Sequence, residues 1–178
     1  MEVFDQYAKN YDLWYEKPFG SSAFKLELSC IERVLDPFSS SLEVGVGSGR
    51  FAKALGVPYG LDPSIELLRL AKRRGIVGIL GRAEALPFKS LSFDLVLMVV
   101  SVCFFQKPLR AFEEAWRVLK KDGSLVLGLV LSESPWANFY REKAKKGHPI
   151  YSHARFYSFG ELSYMLNQTH FRIEKIYT

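Results

Sequence analysis

The residues best suited to binding chemistry form one short run, Glu43-Val44-Gly45-Val46-Gly47-Ser48-Gly49-Arg50-Phe51. A turn built on glycines lets a ligand approach the backbone closely, because no Cβ stands in the way. Glu43 adds a carboxylate two positions before Gly45, which repels a pyrophosphate and favours a ligand carrying positive charge. Arg50 occupies the place where the dinucleotide fingerprint G-x-G-x-x-G needs its last glycine, so a nicotinamide or flavin nucleotide is disfavoured. A second carboxylate, Asp62, follows Tyr59-Gly60-Leu61 and precedes Pro63. At the carboxyl end of a strand such a group accepts both hydroxyl hydrogens of a ribose.

These residues need a scaffold that ends strands and starts helices at the same edge, and the surrounding chain supplies one. Apolar strand-like runs at Leu42–Val46, Tyr59–Leu61, Val77–Leu80, Phe93–Val100 and Ser124–Leu131 alternate with helical patterns starting at Arg50, Pro63 and Leu109. That alternation predicts an α/β fold, a Rossmann-like doubly wound and mostly parallel sheet flanked by helices. Lys121-Asp122-Gly123 reads as a turn, and Ser158-Phe159-Gly160-Glu161 as a capping box opening a helix to about Asn167. Phe171–Thr178 reads as one more strand. The whole of 1–178 is taken as one domain, with 1–29 an aromatic N-terminal cap and 132–157 an insertion near the second substrate.

Composition narrows the classes. With 48% hydrophobic and 24% charged residues the chain has the make-up of a packed globular protein. Its longest apolar run, Leu95–Phe105, is short of a membrane span, and its first residues lack the pattern of a secretory signal, so a cytoplasmic protein is expected. Cys30 and Cys103 stand alone, which argues against a disulfide framework or a cysteine metal site; no metal is expected. The net charge is +5, and basic residues cluster in Arg69–Arg74 and Arg141–Lys146, which read as solvated helix faces, so nucleic acid ranks low among partners.

S-adenosylmethionine carries a sulfonium, an α-ammonium, a carboxylate and a ribose, and so matches a site with Glu43, backbone N–H groups and Asp62. The motifs EVGVGSGRF, GLDPS, GRAEALPF, FDLVLMVVSVCFF and EEAWRVLKKDGSLVLG, in that order, resemble the class I S-adenosylmethionine-dependent methyltransferases, in the branch with LPF after the third strand. The resemblance implies that Glu43, Gly45, Gly47 and Gly49 surround the methionine part and that Asp62, with Pro63 beside it, holds the ribose. It also implies that the Ala83 backbone meets the adenine, that Glu84 substitutes for an aspartate that relatives often carry at the position of Arg82, and that Val99 and Val100 line the pocket. Tyr11, within FDQYAKNYDLWYEKPFG, would approach the cofactor. A seventh strand, usual in relatives, is not visible.

The reaction implied is in-line displacement at the sulfonium methyl by an O, N, S or C atom, leaving S-adenosylhomocysteine. Val99-Val100-Ser101-Val102 replaces the N/D-P-P-Y of base-amino methylation, and Cys103 follows Val102 rather than the proline of cytosine methylation. No imidazole stands after the fourth strand, so no catalytic residue is assigned. The expected acceptor is a small molecule; RNA or protein methylation, or a non-catalytic cofactor-binding module, are the alternatives, and a homodimer is compatible with the sequence. Glu114 and Arg117, three apart on a helix, read as a structural ion pair.

Overall fold

The computed structural model describes residues 2–178. Its centre is one sheet of five parallel strands, β1 (Ser41–Val44), β2 (Tyr59–Asp62), β3 (Val77–Leu80), β4 (Phe93–Val99) and β5 (Leu119–Gly128), in the order β3-β2-β1-β4-β5. Such a sheet must be covered on both faces, which is why β1 is buried at every residue and β4 at all but Asp94. In β4, Leu95, Leu97 and Val99 join the layer of α2 (Pro18–Val34), α3 (Arg50–Leu55) and α4 (Ile65–Arg73). Val96 and Met98 point the other way, onto α5 (Pro108–Val118) and α7 (Phe159–Gln168). Two further helices, α1 (Glu2–Trp14) and α6 (Pro135–Lys145), come from the N-terminal segment and the 132–157 insertion.

The expected doubly wound sheet is therefore present, with local differences. The helix expected from Pro63 begins two residues later, because Ser64 stays extended and its Oγ accepts from the Leu67 N–H at 3.2 Å. The Lys121-Asp122-Gly123 turn appears as an excursion within β5: Phe93 pairs with Leu119, yet Leu95 pairs with Ser124. The capping box at Ser158 and Glu161 has both of its hydrogen bonds. Phe171–Thr178, expected as a strand, is not one. A strand needs a hydrogen-bonded neighbour, and this segment spends its side chains elsewhere. The Phe171 ring meets Trp116 edge-on at 5.2 Å, Lys175 Nζ pairs with Asp36 at 2.7 Å, and Arg33 lies over the Tyr177 ring. Among the described residues no helix is long and apolar enough to cross a membrane.

The LPF and E-x-x-R motifs meet in one buried network that fixes the loop beside the cavity described below. Glu114, 4% exposed, accepts from the Leu86 N–H at 2.7 Å and from Arg117 Nε and Nη2, both at 2.8 Å. Arg117 in turn donates to the carbonyls of Leu86 and Phe88. The structural reading of this pair holds, with the added role of tying a loop to α5. The Arg117 hydrogen bond holds the Glu114 carboxyl below its ordinary range, so its contribution to stability is complete above its unfolded pKa and is lost as pH falls below that. Glu114→Gln should cost about 1.5–3 kcal/mol in urea unfolding at pH 7, and the gap from wild type should close on acidification toward pH 3.

Candidate functional site

The glycine run leaves β1 and turns back under its own carboxyl end. The N–H groups of Gly45 and Val46 both bond the Leu61 carbonyl, at 2.7 and 3.0 Å, which locks the turn against β2. Gly45 has φ +77°, and a Cβ there would drive into the Ser101 side chain. Gly47, at φ +53°, leaves the Tyr11 ring as the nearest neighbour a Cβ would meet, at 3.7 Å. Gly49 caps α3 and packs against Ala71 and Ile76; it faces away from the cavity, so it is the one glycine of the expected set that the fold does not bring there.

A cavity of about 320 Å³ opens over this turn. Gly45 and Gly47 form its floor, Asp62, Pro63, Ala83 and Glu84 one side, and Val99 and Val100 another, with Tyr11 from α1 above. Ten of the eleven residues expected in the site thus line this cavity or the adjoining recess, where Glu43 lies with Tyr15 and the turn. Sequence reasoning did not select Phe4, Ser101, Phe105 and His153, which also line the cavity, and it left Phe104, a further lining residue, between core and pocket wall. Phe4 and Phe104 meet edge-on at 5.1 Å, so an aromatic pair joins α1 to the segment after β4.

The site is built around two buried carboxylates. Glu43 is 1% exposed and its Oε2 has no hydrogen-bond partner, although a backbone bond from Ala52 reaches the carboxyl group. Burial pushes its pKa well above the ordinary value, and the nearby Asp62 adds to that. Asp62 is raised to about 6 by burial, against the lowering effect of N–H bonds from Ser64 to Oδ1 and Gly47 to Oδ2, each 2.9 Å. The Asp62 side chain therefore bridges β2, the glycine turn and the entrance to α4; the cap of α4 itself is Ser64. Glu84 lines the cavity but its Oε1 already accepts the N–H groups of Gln106 and Lys107, at 2.9 and 3.2 Å, and its Oε2 lies 3.4 Å from Arg82 Nε.

The α1 helix is latched down by two aspartates seven residues apart. Asp5 accepts from Ser64 Oγ at 2.6 Å and from the Glu66 N–H. Asp12 accepts from Ser48 Oγ at 2.6 Å, Arg50 Nε at 2.8 Å and Arg74 Nη2 at 2.9 Å, and Arg50 also bonds Glu16. Burial alone would raise the pKa of Asp12, but the bonds from Arg50, Ser48 and Arg74 more than offset it and the net shift is downward. The Arg50 that breaks the dinucleotide fingerprint is thus the anchor of the helix over the cavity. The repeat of Asp at a seven-residue interval on a helix was the available signal.

Other groups fall away as chemical participants. Burial pushes the Cys103 thiol up to about 12, which suits a packed thiol rather than a nucleophile. His148 Nδ1 accepts the Ile150 N–H and burial lowers its pKa, while His153 reaches the cavity edge.

Residues 42–127 match the family model described as "Methyltransferase domain". A solved structure from Thermotoga maritima, described as a SAM-dependent methyltransferase and "possible histamine N-methyltransferase", superposes with a TM-score of 0.89 at 37% identity, over 97% of this chain and 81% of that one. An uncharacterised protein of Methanocaldococcus jannaschii is 37% identical over 97% of this chain and 82% of its own length. An uncharacterised protein of Mycobacterium tuberculosis is 41% identical over 93% of this chain, which spans 59% of that protein's length.

The latch predicts a local effect. Asp12→Ala should speed amide exchange throughout α1 while leaving β4 protected, and should lower global stability by about 1.5–3 kcal/mol through the lost charge-assisted bonds. Exchange read by mass spectrometry with peptide resolution checks both parts.

Proposed function

This chain belongs to the S-adenosylmethionine-dependent methyltransferases, and we propose that it holds that cofactor beneath α1 and passes its methyl group to a small molecule. The observation that carries the reading is the partnerless Oε2 of Glu43, buried at the end of a glycine turn. A buried carboxylate oxygen without a donor is costly, and the α-ammonium of the cofactor relieves that cost. The remaining assignments follow the walls. The methionine part lies along Gly45 and Gly47, the ribose hydroxyls reach Asp62 beside Pro63, and the adenine lies toward Ala83. Glu84 is less free for the adenine amino group, since its carboxylate is already engaged by two backbone N–H groups. Val99 and Val100 close the pocket, and Gly49 acts from behind by letting α3 and α4 approach.

When bound, the cofactor supplies the activated methyl group. The protein's share is alignment and exclusion of water, and α1 provides the cover. A small acceptor is favoured over RNA or protein because the cavity is roofed by Phe4 and Tyr11 and walled by Phe104, leaving apolar surface rather than an open basic groove. The same site without transfer, a cofactor-binding module, is the outcome if methyl never leaves the bound cofactor.

Calorimetry should give micromolar binding of S-adenosylhomocysteine, about −8 kcal/mol, and no detectable binding of NAD. Asp62→Ala should weaken it by about 1.5–3 kcal/mol. Because Asp62 ionises at about 6, affinity should hold above neutral pH and fall as pH drops through 6, by roughly tenfold at one unit below. Release of labelled methyl into a metabolite pool, rather than into RNA or protein, tests the acceptor class.

A further inference from the structure

Outside the cavity, the start of α2 and one face of α6 build an exposed aromatic patch. Phe19 stands 5.3 Å from Trp136 and 6.0 Å from Phe139 between ring centroids, and those two are 6.3 Å apart. Trp14, at the end of α1, meets Phe19 at 6.2 Å and closes the group. Large rings lose most of their surface on folding where they serve a core, yet Phe19, Trp136 and Phe139 keep 47%, 43% and 42% of theirs. A contiguous apolar patch of this kind marks a surface that meets another apolar phase. Its parts are fixed in place. Gly20 is buried, and a Cβ there would stand 2.1 Å from the Trp14 carbonyl oxygen, so a glycine is what lets α2 start tight against the end of α1.

The charge around the rings is positive. Trp136, Phe139 and Lys143 lie three and four residues apart on α6, hence on one face, and Lys146 at the end of the helix continues that face. Lys143 Nζ lies 4.5 Å from the centre of the Phe139 ring, and Lys17, in the turn before α2, is exposed two residues from Phe19. The acidic residues of the adjoining segments are already matched. Glu142 pairs with Lys145 at 2.6 Å, Glu16 pairs with Arg50, and Glu133 accepts from Ser132 Oγ and the Phe159 N–H. Rings flanked by lysines suit the headgroup layer of a bilayer, where the rings enter the acyl boundary and the ammonium groups meet lipid phosphates. A second copy of this chain would instead bring the same lysines face to face across a two-fold axis, with a net charge of +5 on each copy.

We propose that Trp14, Phe19, Trp136 and Phe139, with Lys17, Lys143 and Lys146, form a docking face for an anionic membrane surface. Contact is from outside, since no helix among the described residues is long and apolar enough to cross a bilayer. Trp14 also meets Tyr15 at 4.9 Å, and Tyr15 lines the recess beside Glu43, so the docked face adjoins α1 and the cofactor site. Docking of this kind does not depend on methyl transfer.

The full chain is sedimented with vesicles of phosphatidylcholine alone and with vesicles in which about one-third of the lipid is phosphatidylglycerol. Binding to the anionic vesicles should exceed binding to the neutral ones by roughly tenfold and weaken as salt rises. Trp136→Ala with Phe139→Ala, and separately Lys17→Glu with Lys143→Glu, should each lower it by roughly tenfold, with the circular dichroism spectrum of the unaltered chain retained. Tryptophan emission should shift to the blue on anionic vesicles. That shift should shrink in Trp136→Phe and persist in Trp116→Phe, whose ring packs against Phe171. No binding to anionic vesicles, equal binding to neutral ones, or binding that survives both double variants would overturn the proposal. So would a dimer in solution that Trp136→Ala with Phe139→Ala dissolves, because a second copy would then occupy the patch.

Discussion

Two carboxylates buried side by side, Glu43 and Asp62, are the constraint around which the rest of the molecule is arranged. Each sits at the carboxyl end of a strand, where parallel β1 and β2 bring their ends together in register, with Glu43 opposite Gly60 and Val44 opposite Leu61. Withdrawing two like charges from water is unfavourable, and both groups show it in raised pKa values. Asp62 is partly compensated by N–H bonds from Gly47 and Ser64, but Glu43 keeps an oxygen with no donor at all. A fold optimised only for its own stability would replace such a group by an apolar one. Its presence makes sense where a positively charged ligand completes it.

The cover over this charge is held by the same kind of interaction, used in the opposite sense. In Asp12 the carboxylate is fully matched, by Ser48 from the glycine turn, Arg50 from α3 and Arg74 from the end of α4. Asp5 is matched at the N-terminus of α4, where a carboxylate also suits the helix dipole. The elements that shape the cofactor cavity therefore also fix the angle of α1, and with it Tyr11. That tyrosine is shared: it lines both the cavity and the adjoining recess, where its hydroxyl lies 3.4 Å from that of Tyr15. The position of α1 and the shape of the cavity beneath it are one mechanical unit.

Much of this was legible in sequence because the signals were local. The five apolar runs became five strands, and the glycine turn, Asp62 and the Val99-Val100 segment came to one cavity because strand ends in a parallel sheet share an edge. What was not legible depended on partners distant in the chain. Gly49 has the same residue type as Gly45 and Gly47, but its neighbour is Ala71 rather than the ligand space. Phe171–Thr178 has the composition of a strand, yet strand formation is a property of the pair and not of the segment. Asp12 and Arg50 are 38 positions apart, and their contact follows from how α1 lies over the sheet.

The end of β4 shows how one constraint propagates. Val100 adopts φ +49°, a conformation that a β-branched residue resists and that costs on the order of 1–3 kcal/mol. It is held there by its own N–H to the Gly128 carbonyl at 2.8 Å, and the next residue donates its Oγ to the Val44 carbonyl at 3.0 Å. That second bond seats Ser101 directly under Gly45, in the space a Cβ would take. The glycine at 45 and the strain at 100 are thus two sides of one close approach, between the end of β4 and the turn after β1. Bringing those two strand ends together leaves the cavity open toward Asp62 on one side and Glu43 on the other. The strained backbone of Val100 thus stands in the wall of the same cavity that Asp62 lines.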